Sequence, residues 1–158
     1  MGDDPWAQHA VCHVYDCTGQ IDRGASWMES HSNSWSECNS FMYTHNWWHL
    51  ALFYLDREQS SDVLKLFDER VWGVYKDSSE DQMGATSLLW RCELRQVDVA
   101  DRWLDLSDYI APRVREHLHP FIDMHYAYAL ARSGKTERVR PMAVCTHRHQ
   151  SRADVTHS

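Results

Sequence analysis

Apolar residues recur at helical spacing along most of the chain, and the recurrence breaks at four similar places. Each break is a short polar stretch: TGQID at 18–22, REQSSD at 57–62, RQVDVA at 95–100 and SGKTER at 133–138. Gly19, Glu58, Gln96 and Gly134 mark equivalent positions in them, 39, 38 and 38 residues apart. An aromatic or aliphatic helical pattern precedes each break and an amphipathic one follows it. A fixed period of this length is the signature of a helical repeat. The pattern predicts first helices over 5–17, 41–56, 82–95 and 120–132, and second helices over 20–33, 60–74, 98–114 and 135–144. Start signals agree: Asp4 precedes Pro5, Pro120 opens a helix, and Ser60 and Ser61 can cap a helix whose Val63, Leu64, Phe67 and Val71 form one stripe. The stretches SNSWSECNS (32–40) and VYKDSSEDQ (74–82) read as loops between units.

No segment alternates like a strand. The expected fold is all-α, a right-handed α-α superhelix (solenoid) of about four tetratricopeptide-like helix–turn–helix units. A lone helix pair cannot bury both faces, and stacking supplies the shared core. Residues 1–143 would form this helical-repeat domain, which could be one stretch of a longer solenoid. Residues 144–158 are polar and aperiodic and read as a frayed or disordered tail.

Superimposing the first helices on their anchors sorts their faces. His45 lies 13 residues before its anchor, His9 lies 10 before, His49 and His125 lie 9 before, and His13 lies 6 before. These five fall within an arc of roughly 100°. Trp48, Thr86, Ser87 and Trp90 fall on or near the same stripe. The core stripe runs elsewhere, through Val11, Cys12 and Tyr15, Leu50, Ala51 and Tyr54, Leu88, Leu89 and Cys92, and Tyr126, Ala127 and Leu130, with Trp47 beside it.

Composition narrows the function. The net charge of −7, with no Lys/Arg cluster, argues against nucleic acid as a partner. The five cysteines are odd in number and contain no C-x-x-C, which reads as reduced thiols and a cytoplasmic setting. The longest apolar stretch, near Trp47 to Leu55, is broken by His49 and too short to span a bilayer, so no membrane partner is expected. No G-x-S-x-G elbow is present, and the GKT of SGKTER lacks the rest of a phosphate loop.

WAQHAVCHVYDCTGQ, HNWWHLALFYLDRE, SLLWRCEL with VDVADRW, and FIDMHYAYALARSGK together resemble the tetratricopeptide repeat protein 38 family over about residues 4–140. HNWWHLALF is the distinctive part, and the chain departs from the family pattern at Glu58, where glycine is usual. The resemblance implies an α-helical repeat protein whose first helices line a concave groove, with the histidine stripe facing it.

Three readings of the stripe arise. The leading one is a binding or scaffold module that recognises a peptide or small ligand through a concave His/Trp groove, with Trp48, Thr86, Ser87, Trp90 and His125 in contact. The alternative is a metal-dependent enzyme, hydrolytic or oxidative. There His9/His13 and His45/His49, two i, i+4 pairs on adjacent helices, hold a transition metal such as zinc or iron. The third is packing alone.

Overall fold

The computed structural model describes residues 4–139 and residue 142. It is all-α, with no strand among the described residues. Among the described residues, seven α-helices run in order: α1 Pro5–Cys17, α2 Ile21–His31, α3 Ser40–Asp56, α4 Ser60–Leu66, α5 Ser79–Leu94, α6 Arg102–Ile110 and α7 Pro120–Arg132. Their starts follow from local chemistry. The Asp4 carboxylate accepts from the Trp6 amide at 3.0 Å, the Asn39 side chain from Met42 N at 2.9 Å, and Ser78 Oγ from Asp81 N at 3.4 Å. Pro5 and Pro120 occupy first turns, where a missing N–H leaves nothing unpaired.

The four sequence anchors turn out to be one repeated turn. Gly19, Glu58, Gln96 and Gly134 adopt φ of 66°, 60°, 61° and 81°, each two residues beyond the end of a first helix. In each turn the anchor's amide bonds the carbonyl three residues back. The next amide reaches five back: Gln20 to Tyr15, Gln59 to Tyr54, Val97 to Cys92 and Lys135 to Leu130, at 2.8–2.9 Å. That pair of bonds is the Schellman motif, which closes a helix by satisfying its last carbonyls.

The segments after the turns vary more than the sequence pattern suggests. The second helix of the second unit continues from α4 through a π-helical turn, Phe67–Val71, and stops before residue 74. The third starts four residues later than expected, at Arg102, behind Ala100 with φ 48°. It ends in a 3-10 turn, Ala111–Arg113. The fourth begins as a 3-10 turn, Thr136–Arg138. Its remainder and the expected tail 144–158 fall, apart from residue 142, outside the described residues. Two expected loops are corrected. Residues 32–37 form a 3-10 helix because Trp35 is fully buried, and its indole N–H donates to Gln8 Oε1 at 2.9 Å. The 74–82 stretch is already helical from Ser79.

The chain divides into two compact units, Met1–Val99 and Ala100–Ser158. In the first, α3 is the central helix and packs on α1, α2, α4 and α5. Its buried residues, among them Met42, Asn46, His49, Leu50, Phe53 and Leu55, point in every direction, as an enclosed helix requires. Cys12, Ala25, Met28, Trp35, Leu50 and Phe53 form one cluster, with Trp47 partly buried against it and edge-on to Trp35 at 4.8 Å. Thr44 of α3 donates to the Asp81 carboxylate of α5, both of them buried, which fixes the start of α5 against α3. In the second unit α6 packs on α7, with Leu106, Ile110, Tyr126 and Leu130 buried and Trp103 edge-on to Tyr128 at 5.6 Å.

Candidate metal centre

Helices α1 and α3 carry the two histidine pairs, and their packing brings all four imidazoles to one point. His13 and His9 Nε2 are 3.1 Å apart, His9 and His49 Nε2 3.1 Å, and His49 and His45 Nε2 3.2 Å. One ring nitrogen from each of the four lies within 4.8 Å of every other. Helix geometry produces this. A spacing of i, i+4 puts each pair on one helix face, and two packed helices oppose those faces. The remaining ring contacts set the orientations. His45 lies parallel to Phe41 at 5.0 Å and to Trp48 at 5.5 Å, and Trp6 stands edge-on to His9.

Hydrogen bonding cannot satisfy this arrangement by itself. A neutral imidazole Nε2 either donates its one proton or offers its one lone pair. His9 Nε2 and His49 Nε2 each face two neighbours, so the three short contacts cannot all be good hydrogen bonds. A cation accepts four lone pairs at once. A tetrahedral ion with nitrogens at about 2.0–2.1 Å would hold them about 3.3–3.4 Å apart. The three short separations lie near that value.

The protonation state suits a metal. Burial pushes His49 down to about 2 and His45 down to about 4, with the neighbouring imidazoles adding to the effect. His9 is lowered by burial and then by His13. Buried imidazoles beside other imidazoles resist a positive charge, so their lone pairs are free near neutral pH. Cys12 sits between His9 and His13 in sequence but on the core side of α1. It is fully buried, and burial followed by Asp16 pushes its thiol up to about 12, so it stays protonated. Cys12, Cys17, Cys38 and Cys92 are all free thiols.

A cavity of about 510 Å³ opens beside the cluster. His13, His45, His49 and Trp48 line it, and Leu52, Leu55 and Leu94 supply apolar surface. Asp16, Asp56, Arg91 and Arg95 add charge. Arg95 pairs with Asp56 at 2.5 Å. Arg91 lies over the Trp48 ring at 5.3 Å from its centre.

The other residues singled out on the stripe are distributed differently. Trp48 lines the cavity. Thr86 is fully buried and donates to the Gln82 carbonyl at 2.8 Å. Ser87, 7% exposed, accepts from Arg91 through its hydroxyl and its carbonyl. Trp90 is half-buried on α5. His125 belongs to the second unit, buried on α7, where its Nδ1 donates to the Phe121 carbonyl at 2.7 Å. His49, placed on an open groove by the sequence, is only 3% exposed, because α3 is covered on all sides. The charged lining of the cavity was missed. Asp56, seven residues after His49, falls within the same arc and was open to the same counting. Arg91 was not, because it reaches the cavity from α5 by the length of its side chain. No protein-family model and no solved structure matches the chain.

Proposed function

We propose that the protein binds one transition-metal ion between α1 and α3, with His9, His13, His45 and His49 as ligands. We further propose that the ion serves metal-dependent chemistry, hydrolytic or oxidative, on a small ligand in the adjoining cavity. The observation that carries this reading is the convergence of four imidazole nitrogens, three of their separations being 3.1–3.2 Å. Imidazole donors suit zinc, iron, copper or nickel, and a cluster of four nitrogen donors with no oxygen ligand among the described residues disfavours calcium and magnesium. A bound ion of this kind acts as a Lewis acid or lowers the pKa of a coordinated water. The chain's own contribution is to fix the rings by stacking and to shape a partly apolar cavity beside them.

The test is elemental analysis of protein purified without an affinity tag and reloaded with Zn²⁺, Fe²⁺ or Co²⁺. One equivalent per chain is expected, and His9→Ala or His49→Ala should reduce it to background. Sub-stoichiometric metal, the same in wild type and His49→Ala, removes the reading.

The broader architecture belongs to the same proposal. Four Schellman turns at 38–39 residue spacing support a tetratricopeptide-like α-α superhelix and are in keeping with the resemblance to the tetratricopeptide repeat protein 38 family. Ligand recognition on such a scaffold would use the same cavity, since Trp48 lines it.

A further inference from the structure

The cavity holds one cationic group that the protein leaves uncommitted. Arg91 Nη1 donates to the Ser87 carbonyl at 3.1 Å and to the Ser87 hydroxyl, and the guanidinium rests on Trp48. Its Nε and Nη2 have no hydrogen-bond partner, and it has no carboxylate partner, among the described residues. Arg95, the other guanidinium of the lining, is spent on Asp56. Arg91 is thus held by one edge and by one face, with a planar fork of donors left over. Such a fork matches a carboxylate or a phosphate in a bidentate geometry.

The apolar lining decides between the two. Four neutral imidazoles would leave the charge of a bound ion uncompensated, Arg91 adds to it, and the Asp16 carboxylate on the same lining takes part of it back, so the site attracts an anion of either kind. A phosphate dianion would meet stronger repulsion from Asp16 and Asp56 than a monoanion and has no apolar part. Trp48, Leu52, Leu55 and Leu94 give the cavity an apolar surface fit for a hydrocarbon body, which a carboxylate can carry and inorganic phosphate cannot.

We infer that the cavity binds a small organic monocarboxylate, its carboxylate held by Arg91 and its apolar body against Trp48 and the leucines, beside the metal. Arg91 is here a specificity-determining residue and Ser87 its positioning residue. This inference rests on the metal reading above and deepens it by naming the ligand class.

The experiment titrates the Co²⁺-loaded full chain with benzoate and, separately, with inorganic phosphate, following the visible absorption of the ion. Co²⁺ uptake is measured first in wild type, Arg91→Met and Arg91→Gln. Expected is equal uptake in all three, benzoate binding in wild type at least tenfold tighter than phosphate, and benzoate binding at least tenfold weaker in both variants. Equal benzoate affinity in wild type and in either Co²⁺-competent variant overturns the inference while leaving the metal site standing, as does a preference for phosphate. A wild-type chain that takes up no Co²⁺ removes the metal reading and this inference with it. Arg91→Gln, a good helix former with a polar end, carries the comparison if Arg91→Met disturbs the fold.

Discussion

His49 and His45 are held at about 2 and about 4 against an ordinary 6.5, and burial is the main cause for both. The sign of the resulting pH dependence is fixed. In metal-free protein the unfolded chain takes up protons below pH 6.5 that the folded chain refuses, so acid favours unfolding. These groups change nothing above that pH. Their contribution is lost as pH falls from about 6.5 towards the folded values. Between about pH 7.5 and about pH 5 the unfolding free energy should fall, by about 1–2 kcal/mol for His49 alone, and the urea midpoint with it, and His49→Gln should shrink the fall. A midpoint that rises on acidification contradicts the neutral cluster. A second residue-scale expectation concerns Gln8, 2% exposed, whose side-chain oxygen is the partner of the buried Trp35 indole. Gln8→Ala should destabilise by about 1–3 kcal/mol in urea melts, because the indole N–H is left buried and unpaired. Neither Gln8 nor Trp35 stood out in the sequence. Gln8 is polar in a stretch whose apolar neighbours define the stripe, and Trp35 sits in a serine-rich run that reads as a loop. The four histidines were legible because i, i+4 spacing is visible in one dimension. That His49 is enclosed was not, since enclosure depends on which helices α3 packs against.

At the scale of elements, the first helices were legible to within three residues because caps, prolines and turn residues all act locally. The turns were legible as positions before their conformation was known. Two of the four place a non-glycine residue in the left-handed region, Glu58 at φ 60° and Gln96 at φ 61°. A Cβ costs about 1 kcal/mol there, while glycine visits the region freely. Neither side chain has a polar partner among the described residues, so nothing offsets that cost. Glu58→Gly and Gln96→Gly should each raise stability by roughly 0.5–1 kcal/mol, less the added entropy of the unfolded chain. Gly19→Ala and Gly134→Ala, at φ 66° and 81°, should each lower it by a similar amount. Thermal melts of the four variants check the set, and opposite signs for the two pairs are the diagnostic. The second helices were less legible. Their ends are shaped by a π turn at Phe67–Val71 and by Ala100 at φ 48°, neither of which has a period to detect.

For the molecule as a whole, the two units and the metal centre make a joint prediction. All four ligands lie in the first unit, and the ion would join α1 to α3 across loops of about 30 residues, where closing a long loop gives a cross-link its largest effect. A ligand that binds only the folded state stabilises it by about 2.7 kcal/mol at one hundred times its Kd. That stabilisation reaches every amide whose exchange requires the site to open, and no others. Hydrogen exchange with and without saturating Zn²⁺ should therefore show slowed exchange over Pro5–Cys17 and Ser40–Asp56, with α6 and α7 unchanged. The same measurement on His9→Ala should show no slowing anywhere. Slowing that extends equally into Arg102–Ile110 and Pro120–Arg132 would mean that the two units open together, and the division at Val99 would then be one of packing density and not of cooperativity. Slowing confined to one of the two metal-bearing helices would mean that the ion is held by a single i, i+4 pair, and the four-histidine centre would reduce to half of itself.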